Sequence, residues 1–219
     1  MARATLFWVR DAMNQAFAAA LRADRSTFGV DLSDADITAL SAYYDLILTE
    51  NPILHLVAPM APEDFAIRHI LESLTLLQHL PQNVKFADVG TGAGLPSIPC
   101  LLVREDLAGI LIESKIKKTT FLTAVVKQLG INDRVKVVNR QFQETDPGDC
   151  KIVTCRALDK FADKLPRLLK WSGPRTMLLF GGNNLADALD MQRVRYAKRL
   201  MPLSNQRFLF AAPPGEFGD

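Results

Sequence analysis

The sequence predicts a doubly wound α/β domain, with a mostly parallel sheet, behind a helical N-terminal extension. Three observations predict it. From Val84 onward, short apolar runs alternate with amphipathic ones. A turn rich in glycine, "DVGTGAGLP", follows the first of those apolar runs directly. Before Pro81 the apolar residues instead keep helical spacing throughout. Strands that are apolar on both faces must be covered on both faces, and the segments between them supply the covering helices.

The elements follow in order. Leu6, Val9, Met13, Phe17, Ala20 and Leu21 recur at helical spacing, and Gly29 with "DLSDAD" ends that helix and caps the next. Ser33 or Asp34 caps "ADITALSAYYDLILTEN", which is expected to stop before Pro52. In "PEDFAIRHILESLTLLQHL", Phe65, Ile67, Ile70, Leu71, Leu74 and Leu77 form the stripe of a third helix. Residues 1–82 thus form the extension and residues 83–219 the α/β domain. In the latter, strands are expected in "VKFADVG", "LAGILIES", "RVKVVNR", "KIVTCRA", "RTMLLFGG" and "QRFLFAA". Helices are expected in "LPSIPCLLVRED", "KKTTFLTAVVKQLG", "KFADKLPRLLKW" and "NLADALDMQRVRYAKRL". Trp8 and Trp171 read as core, and "AAPPGEFGD" as a frayed tail.

With 219 residues, 48% hydrophobic and 23% charged, the chain has the profile of a soluble globular protein with one ordinary core. A net charge of +2 favours no partner class, so the distribution of charge matters more. Basic residues cluster at Lys115, Lys117 and Lys118, and again at Arg193, Arg195, Lys198, Arg199 and Arg207, where solvated helix faces are the plain reading. Cys100, Cys150 and Cys155 form no CxxC pair and have no histidine at metal-ligand spacing, so no metal is expected and a reducing compartment is. The N-terminal run is amphipathic and charged, unlike a signal peptide, and no apolar stretch approaches 18 residues. These features lead to a cytoplasmic protein that does not enter a membrane.

The glycine turn carries the chemistry. In an open parallel sheet, ligands bind at the carboxyl ends of the strands, where the strand order reverses. Gly90, Gly92 and Gly94 can take positive φ and let the backbone approach a ligand. Pro96 and Pro99 fall where a helix begins, where a missing N–H costs nothing, and that helix N-terminus favours an anionic group. A dinucleotide fingerprint would need a third small residue where Leu95 stands. What remains is Asp88 upstream, the glycines, and an acid, Glu113, ending the second strand, where it can accept hydrogen bonds from ribose hydroxyls. That set suits S-adenosylmethionine. A plain strand–helix turn is the competing reading.

With those residues in hand, the chain resembles the glucose-inhibited division protein B family, bacterial methyltransferases of guanine N7 in small-subunit ribosomal RNA. The resemblance runs from about Asp45 to Ala211 and is most specific in "DVGTGAGLPSIP". It extends to "RHILESL", where Glu72 replaces the family's usual aspartate, to "CRAL" after a strand, and to the distance from Arg140 to Arg156. "QRFLFAA" resembles the family's Arg-His-Leu strand, with Phe208 in place of histidine. Further departures are Phe142 for a glutamate, Gly181 for a lysine, and "HLV" for Asn-Leu-Thr.

The resemblance implies that Gly90 and Leu95 contact the methionine end of the cofactor and Glu113 its ribose. Gln141 and Phe142 would lie against the adenine, and Arg156 beside both cofactor and target. Attack by guanine N7 needs no base, because its lone pair is free, so positioning carries the catalysis. Arg156 is the polar residue expected to act, its fork suited to guanine O6 or a phosphate. On the substrate side, Arg68 and His69 would face the site, although His69 reads equally well as structural. Lys117 and Lys118, after Lys115, would meet phosphates at its mouth, and Arg207 joins them. The expected partner is small-subunit ribosomal RNA in an assembling 30S particle. Two alternatives stay open: an RNA-binding module that keeps the nucleotide pocket without catalysis, and a small-molecule methyltransferase with the same core.

Overall fold

The computed structural model describes residues 2–156 and 161–214, without the side chains of residues 2–7 and 9. The side chains of Leu6 and Val9 in the first stripe are therefore not described, and Ala157 and Leu158 of "CRAL" and the tail from Gly215 lie outside the described residues.

Seven strands form one sheet in the order β3-β2-β1-β4-β5-β7-β6. β1 (Lys85–Val89), β2 (Ala108–Glu113), β3 (Val135–Asn139), β4 (Ile152–Arg156) and β5 (Thr176–Gly181) run parallel. β7 (Phe208–Ala212) is antiparallel to β5, and β6 (Ala197–Leu200) is antiparallel to β7 at the edge. The chain winds outward from β1 to β3, then restarts at β4 on the other side of β1. The reversal falls between β1 and β4, which is where such sheets open a crevice.

The apolar residues of the strands divide into two cores. Phe86, Leu111 and Leu178 pack with Phe17, Tyr43, Tyr44 and Phe65 from the extension. Val89, Val153, Leu179 and Phe210 pack with Leu165, Leu168 and Leu189 from the later helices. The extension thus shares the core of one sheet face. Its α1 (Ala2–Asp24) is fixed to α2 (Asp34–Leu54) by Arg10, which donates to Asp45 at 2.9 Å. Ser33 caps α2, and its hydroxyl accepts from the N–H of Asp36, whose carboxylate accepts from the N–H of Ser33. No helix among the described residues is long and apolar enough to cross a membrane.

Four expectations need correction. α2 does not stop before Pro52 but runs through it to Leu54, the turn beyond the proline being closed by the His55 N–H on the Asn51 carbonyl at 3.0 Å, with His55 at a φ of 47°. Trp8 is not core: it is 69% exposed. The run from Asn184 to Leu200 is not one helix. It ends at Met191, where Arg193 turns to φ 56° and its N–H donates to the Asp190 carbonyl at 2.9 Å; the β-formers Val194 and Tyr196 then lead the chain away from helix, and the edge strand begins at Ala197. The third helix, 62–79, is interrupted: Ala66–Leu71 is π-helical and Thr75–His79 is 3₁₀. Within it the N–H of Glu72 reaches back five residues to Ile67. The carbonyl of Arg68 accepts instead from the guanidinium of Arg156. Wide turns of this kind recur where a helix serves a site.

Candidate functional site

β1 ends at Val89, and the N–H of Gly90 extends its pairing with β2 by bonding the Ile112 carbonyl at 2.9 Å. The chain then turns through Gly90, Gly92 and Gly94. Gly94 has φ +100°, and a Cβ there would lie 2.8 Å from Cγ1 of Ile98. Gly92, at φ +60°, differs: a Cβ would meet only the Gly90 carbonyl, at 3.9 Å. The first glycine is needed for packing, the second for the backbone and the space beside it.

Asp88 holds the turn from below. Its Oδ2 accepts from the hydroxyl of Thr91 at 2.6 Å and from the hydroxyl of Ser97, one just before Gly92 and the other after Gly94. From above, the hydroxyl of Tyr43 on α2 donates to the Ala93 carbonyl at 2.9 Å. Burial, and then the nearby Asp88, raise the tyrosine's pKa, so it remains a donor. Asp88 is fully buried and its Oδ1 has no partner among the described residues. Burial raises its pKa from 3.8 to about 7, against the opposing pull of the Ser97 and Thr91 hydroxyls.

A carboxyl held above its unfolded pKa binds its proton more tightly in the native state. Its contribution is present below pH 4 and is lost as pH rises to about 7, an effect on the order of 4 kcal/mol. His69 slopes the other way, its pKa being lowered to about 3, so the two must be separated by comparison. Asp88→Asn, measured against wild type by urea unfolding at pH 4.5 and 7.5, is expected to gain relative stability at the higher pH. An equal difference at both pH values would contradict the buried carboxyl.

Glu113 closes β2 and is buried, the residue being 7% exposed. Its Oε2 accepts from the Gly92 N–H at 3.1 Å and its Oε1 from the Lys115 N–H at 2.9 Å. A carboxylate offers about four acceptor sites, so lone pairs remain for two hydroxyls. Gly90, Gly92, Leu95, Glu113, Lys118, His69 and Arg156 line one cleft of about 530 Å³. A smaller recess of about 60 Å³ adjoins it, lined by Arg140, Gln141 and Phe142. Gly90, Ser114 and Lys164 border both. Phe142 is buried there, its ring edge-on to Trp171 at 5.8 Å, so the recess has an apolar wall.

Arg156 ends β4 across the crevice. One terminal nitrogen lies 3.3 Å from Glu72 and 3.4 Å from Nδ1 of His69, the other 3.4 Å from the Ser73 hydroxyl. Glu72, 1% exposed, also accepts from Nε of Arg207 at 2.6 Å. Two guanidiniums therefore share one buried carboxylate. Burial, followed by the charges of Arg156, Arg68 and Arg207, keeps His69 neutral. The guanidinium expected to reach out for a base is thus held inward, and it presents to the cleft only the charge left over by Glu72.

The switch point brings together most of the residues named from sequence. Asp88 and Gly94 lie beneath the loop, buried, as its support. Three lie apart. Lys117 lines a different hollow of about 470 Å³ between α2 and the helix Ile116–Gln128, walled by Leu46, Leu54, Phe121 and Val125. That hollow is the more apolar one; it has an acid, Glu50, but not the glycine turn that brings a backbone N–H onto Glu113 in the crevice. Arg68 points its side chain to Asp64 at 3.4 Å and bonds to the cluster through its carbonyl. Arg207 supports Glu72. Tyr43, Thr91, Ser97 and Lys164 escaped sequence reading. The two hydroxyls within and just after the glycine turn were a usable signal; nothing local marked Tyr43.

Comparison with known proteins bears on this geometry. The profile of the family described as GidB, rRNA small subunit methyltransferase G, matches residues 36–207. Ribosomal RNA small subunit methyltransferase G of Neisseria meningitidis is 35% identical over 153 residues, 70% of this chain and 72% of that protein. The protein of the same name from Sorangium cellulosum is 31% identical over 188 residues, covering 79% and 78%. Among solved structures, an RNA methyltransferase from Salinibacter ruber in complex with S-adenosyl-L-homocysteine superposes with a TM-score of 0.53 at 18% identity, covering 73% of this chain and 95% of that one. A SAM-dependent methyltransferase from Aquifex aeolicus gives 0.53 at 15%, covering 78% and 97%. At such identities the structures establish the fold.

Proposed function

We infer the reaction from the premise that the chain belongs to the rRNA small subunit methyltransferase G family, whose profile spans residues 36–207. It is an S-adenosylmethionine-dependent methyltransferase of small-subunit ribosomal RNA. The atom methylated in this proposal is guanine N7, in an assembling 30S particle in the cytoplasm. The observation that supports the site is the joint position of Glu113, the glycine turn and the two adjoining clefts at the β1/β4 switch point.

The residues fit the group. Glu113 keeps acceptors for the ribose hydroxyls, while Gly90 and Leu95 face the larger cleft for the amino-acid end. Gln141 and Phe142 offer a recess with an apolar wall for the adenine. When bound, S-adenosylmethionine supplies an electrophilic methyl group on a sulfonium sulfur. Asp88 and Tyr43 keep the turn rigid, so that Gly90 and Gly92 bind without further ordering. Arg156, backed by Glu72, sets a positive charge on the side where the base enters. It is proposed as the catalytic residue, acting through orientation. N7 attacks with its own lone pair, so no side chain has to take a proton and no metal enters the proposal. Positioning of that kind can be worth about 7–11 kcal/mol. The extension, residues 1–82, acts here as the support of the turn, through Tyr43.

The test is transfer of labelled methyl from S-adenosylmethionine to small-subunit particles taken from cells lacking this chain, with the modified base mapped by mass. Label at one guanine N7 is expected. Binding of S-adenosylmethionine without transfer would favour the non-catalytic module, and transfer only to small molecules would refute the RNA target.

A further inference from the structure

The exposed β6 edge, three strands away from the cleft, carries cations for which the cleft chemistry has no use. From Met191 to Pro214 the chain has five arginines and lysines and no acid, so nothing within that stretch can neutralise them. Arg193 and Arg195 are exposed and make no side-chain hydrogen bond or ion pair among the described residues. Lys198 and Arg199 do have partners, but these are neutral amides: Lys198 donates to Asn183 at 2.8 Å, and Arg199 to Gln78. The acids closest along the chain, Asp187 and Asp190, are on the preceding helix, and Asp190 accepts from the Tyr196 hydroxyl at 3.0 Å.

Every residue of β6 is exposed. Side chains alternate along a strand, so Lys198 and Arg199 stand on opposite faces of the edge. Lys198 lies 3.9 Å over the ring of Phe208, whereas Arg199 reaches Gln78 of the extension. The cations therefore flank a free strand edge on both sides. The edge is also joined to the cleft: β7 begins beside Arg207, which is bonded to Glu72, which holds Arg156.

From β4 to β6 there are three interstrand steps, about 14 Å. A small molecule in the cleft does not span that distance, but a folded RNA does. We propose that the β6 edge, with Arg195, Lys198 and Arg199, is an accessory surface that grips the phosphate backbone of the RNA whose target base enters the cleft. The proposal rests on the reading that this chain methylates ribosomal RNA. Cations without a counter-charge on a structured edge supply affinity and register without reading sequence. The competing role for such residues is to guard a free edge against pairing with another chain.

The test is the triple substitution Arg195→Ala, Lys198→Ala, Arg199→Ala, assayed with undermethylated small-subunit particles at several salt concentrations. Binding of S-adenosylmethionine by calorimetry reports that the variant is folded. Should the triple variant fail to bind it, Arg195→Ala alone serves, since that side chain has no partner to lose. The expected result is a KM for the particle raised about tenfold, kcat and cofactor affinity unchanged, and a salt dependence shallower by about two counterions. For Arg195→Ala alone, a decrease of about one counterion is expected. Restoring charge with Arg195→Lys and Arg199→Lys should recover most of the KM. Wild-type KM and salt slope in the variants, or a change confined to aggregation, would overturn the proposal. Absence of methyl transfer by the wild-type protein would instead refute the parent reading of function.

Discussion

Glu72→Leu is expected to lower the free energy of unfolding by about 3–5 kcal/mol, the cost of leaving a buried charge without its partner. Glu72 is 1% exposed and serves two guanidiniums, so the substitution leaves Arg156, with a side chain only 13% exposed, beside a neutral histidine. Arg207→Leu provides the contrast. It leaves Glu72 with Arg156 as counter-charge at 3.3 Å, so no buried charge is stranded, and a smaller cost of about 1–3 kcal/mol is expected. Urea midpoints of the two variants at constant m-value check the difference. If both cost the same, the carboxylate does not hold Arg156 in solution. Glu72→Gln, which keeps the shape and one acceptor, separates stability from function. It should retain cofactor affinity and lose methyl transfer, since Arg156 is then positioned without its counter-charge.

Gly92→Val is expected to weaken S-adenosylmethionine binding by at least about 100-fold, which is about 2.7 kcal/mol. The backbone there has φ +60°, which costs a residue with a Cβ about 1–2 kcal/mol, and the branched side chain enters open space beside the cleft lining. It also disturbs the N–H that fixes Oε2 of Glu113. The protein should still fold. Gly94→Val should not, because the added side chain runs into Ile98 and Leu122 within the core, at φ +100°. Two glycines two residues apart thus differ in surroundings, Gly92 beside open space in the cleft lining and Gly94 against the packed core. Calorimetry of Gly92→Val checks the first, and micromolar binding retained would count against the position given to the cofactor.

Much of this was legible in the chain itself. The alternation after Val84 specifies buried parallel strands because the side chains of such strands are apolar on both faces. Gly90, Gly92 and Glu113 were legible because a ligand at a strand end needs bare backbone and an acceptor at fixed positions along the chain. The edge strand was not. "RVRYAKRL" repeats its cations at a spacing that suits a helix as well as a strand, and only Arg193 in the left-handed region breaks the run. The Glu72 cluster was not legible either, since it joins residues 68–73, 156 and 207 through contacts that have no counterpart in local spacing. The π-helical turn that frees the Arg68 carbonyl has no propensity signature, because its residues are ordinary helix formers. Of the two lysines named together, Lys118 lines the cleft and Lys117 the hollow beside α2, because neighbours in a helix differ by about 100° in direction and spacing along the chain does not say which of them faces which.

The most direct measurement is a crystal structure of the protein with S-adenosyl-L-homocysteine. Both ribose hydroxyls are expected on the Glu113 carboxylate, the adenine in the recess beside Gln141 and Phe142, and the amino-acid end against Gly90. Ligand bound in the apolar hollow beside α2, or a crevice that accepts a nicotinamide dinucleotide in its place, would contradict the account.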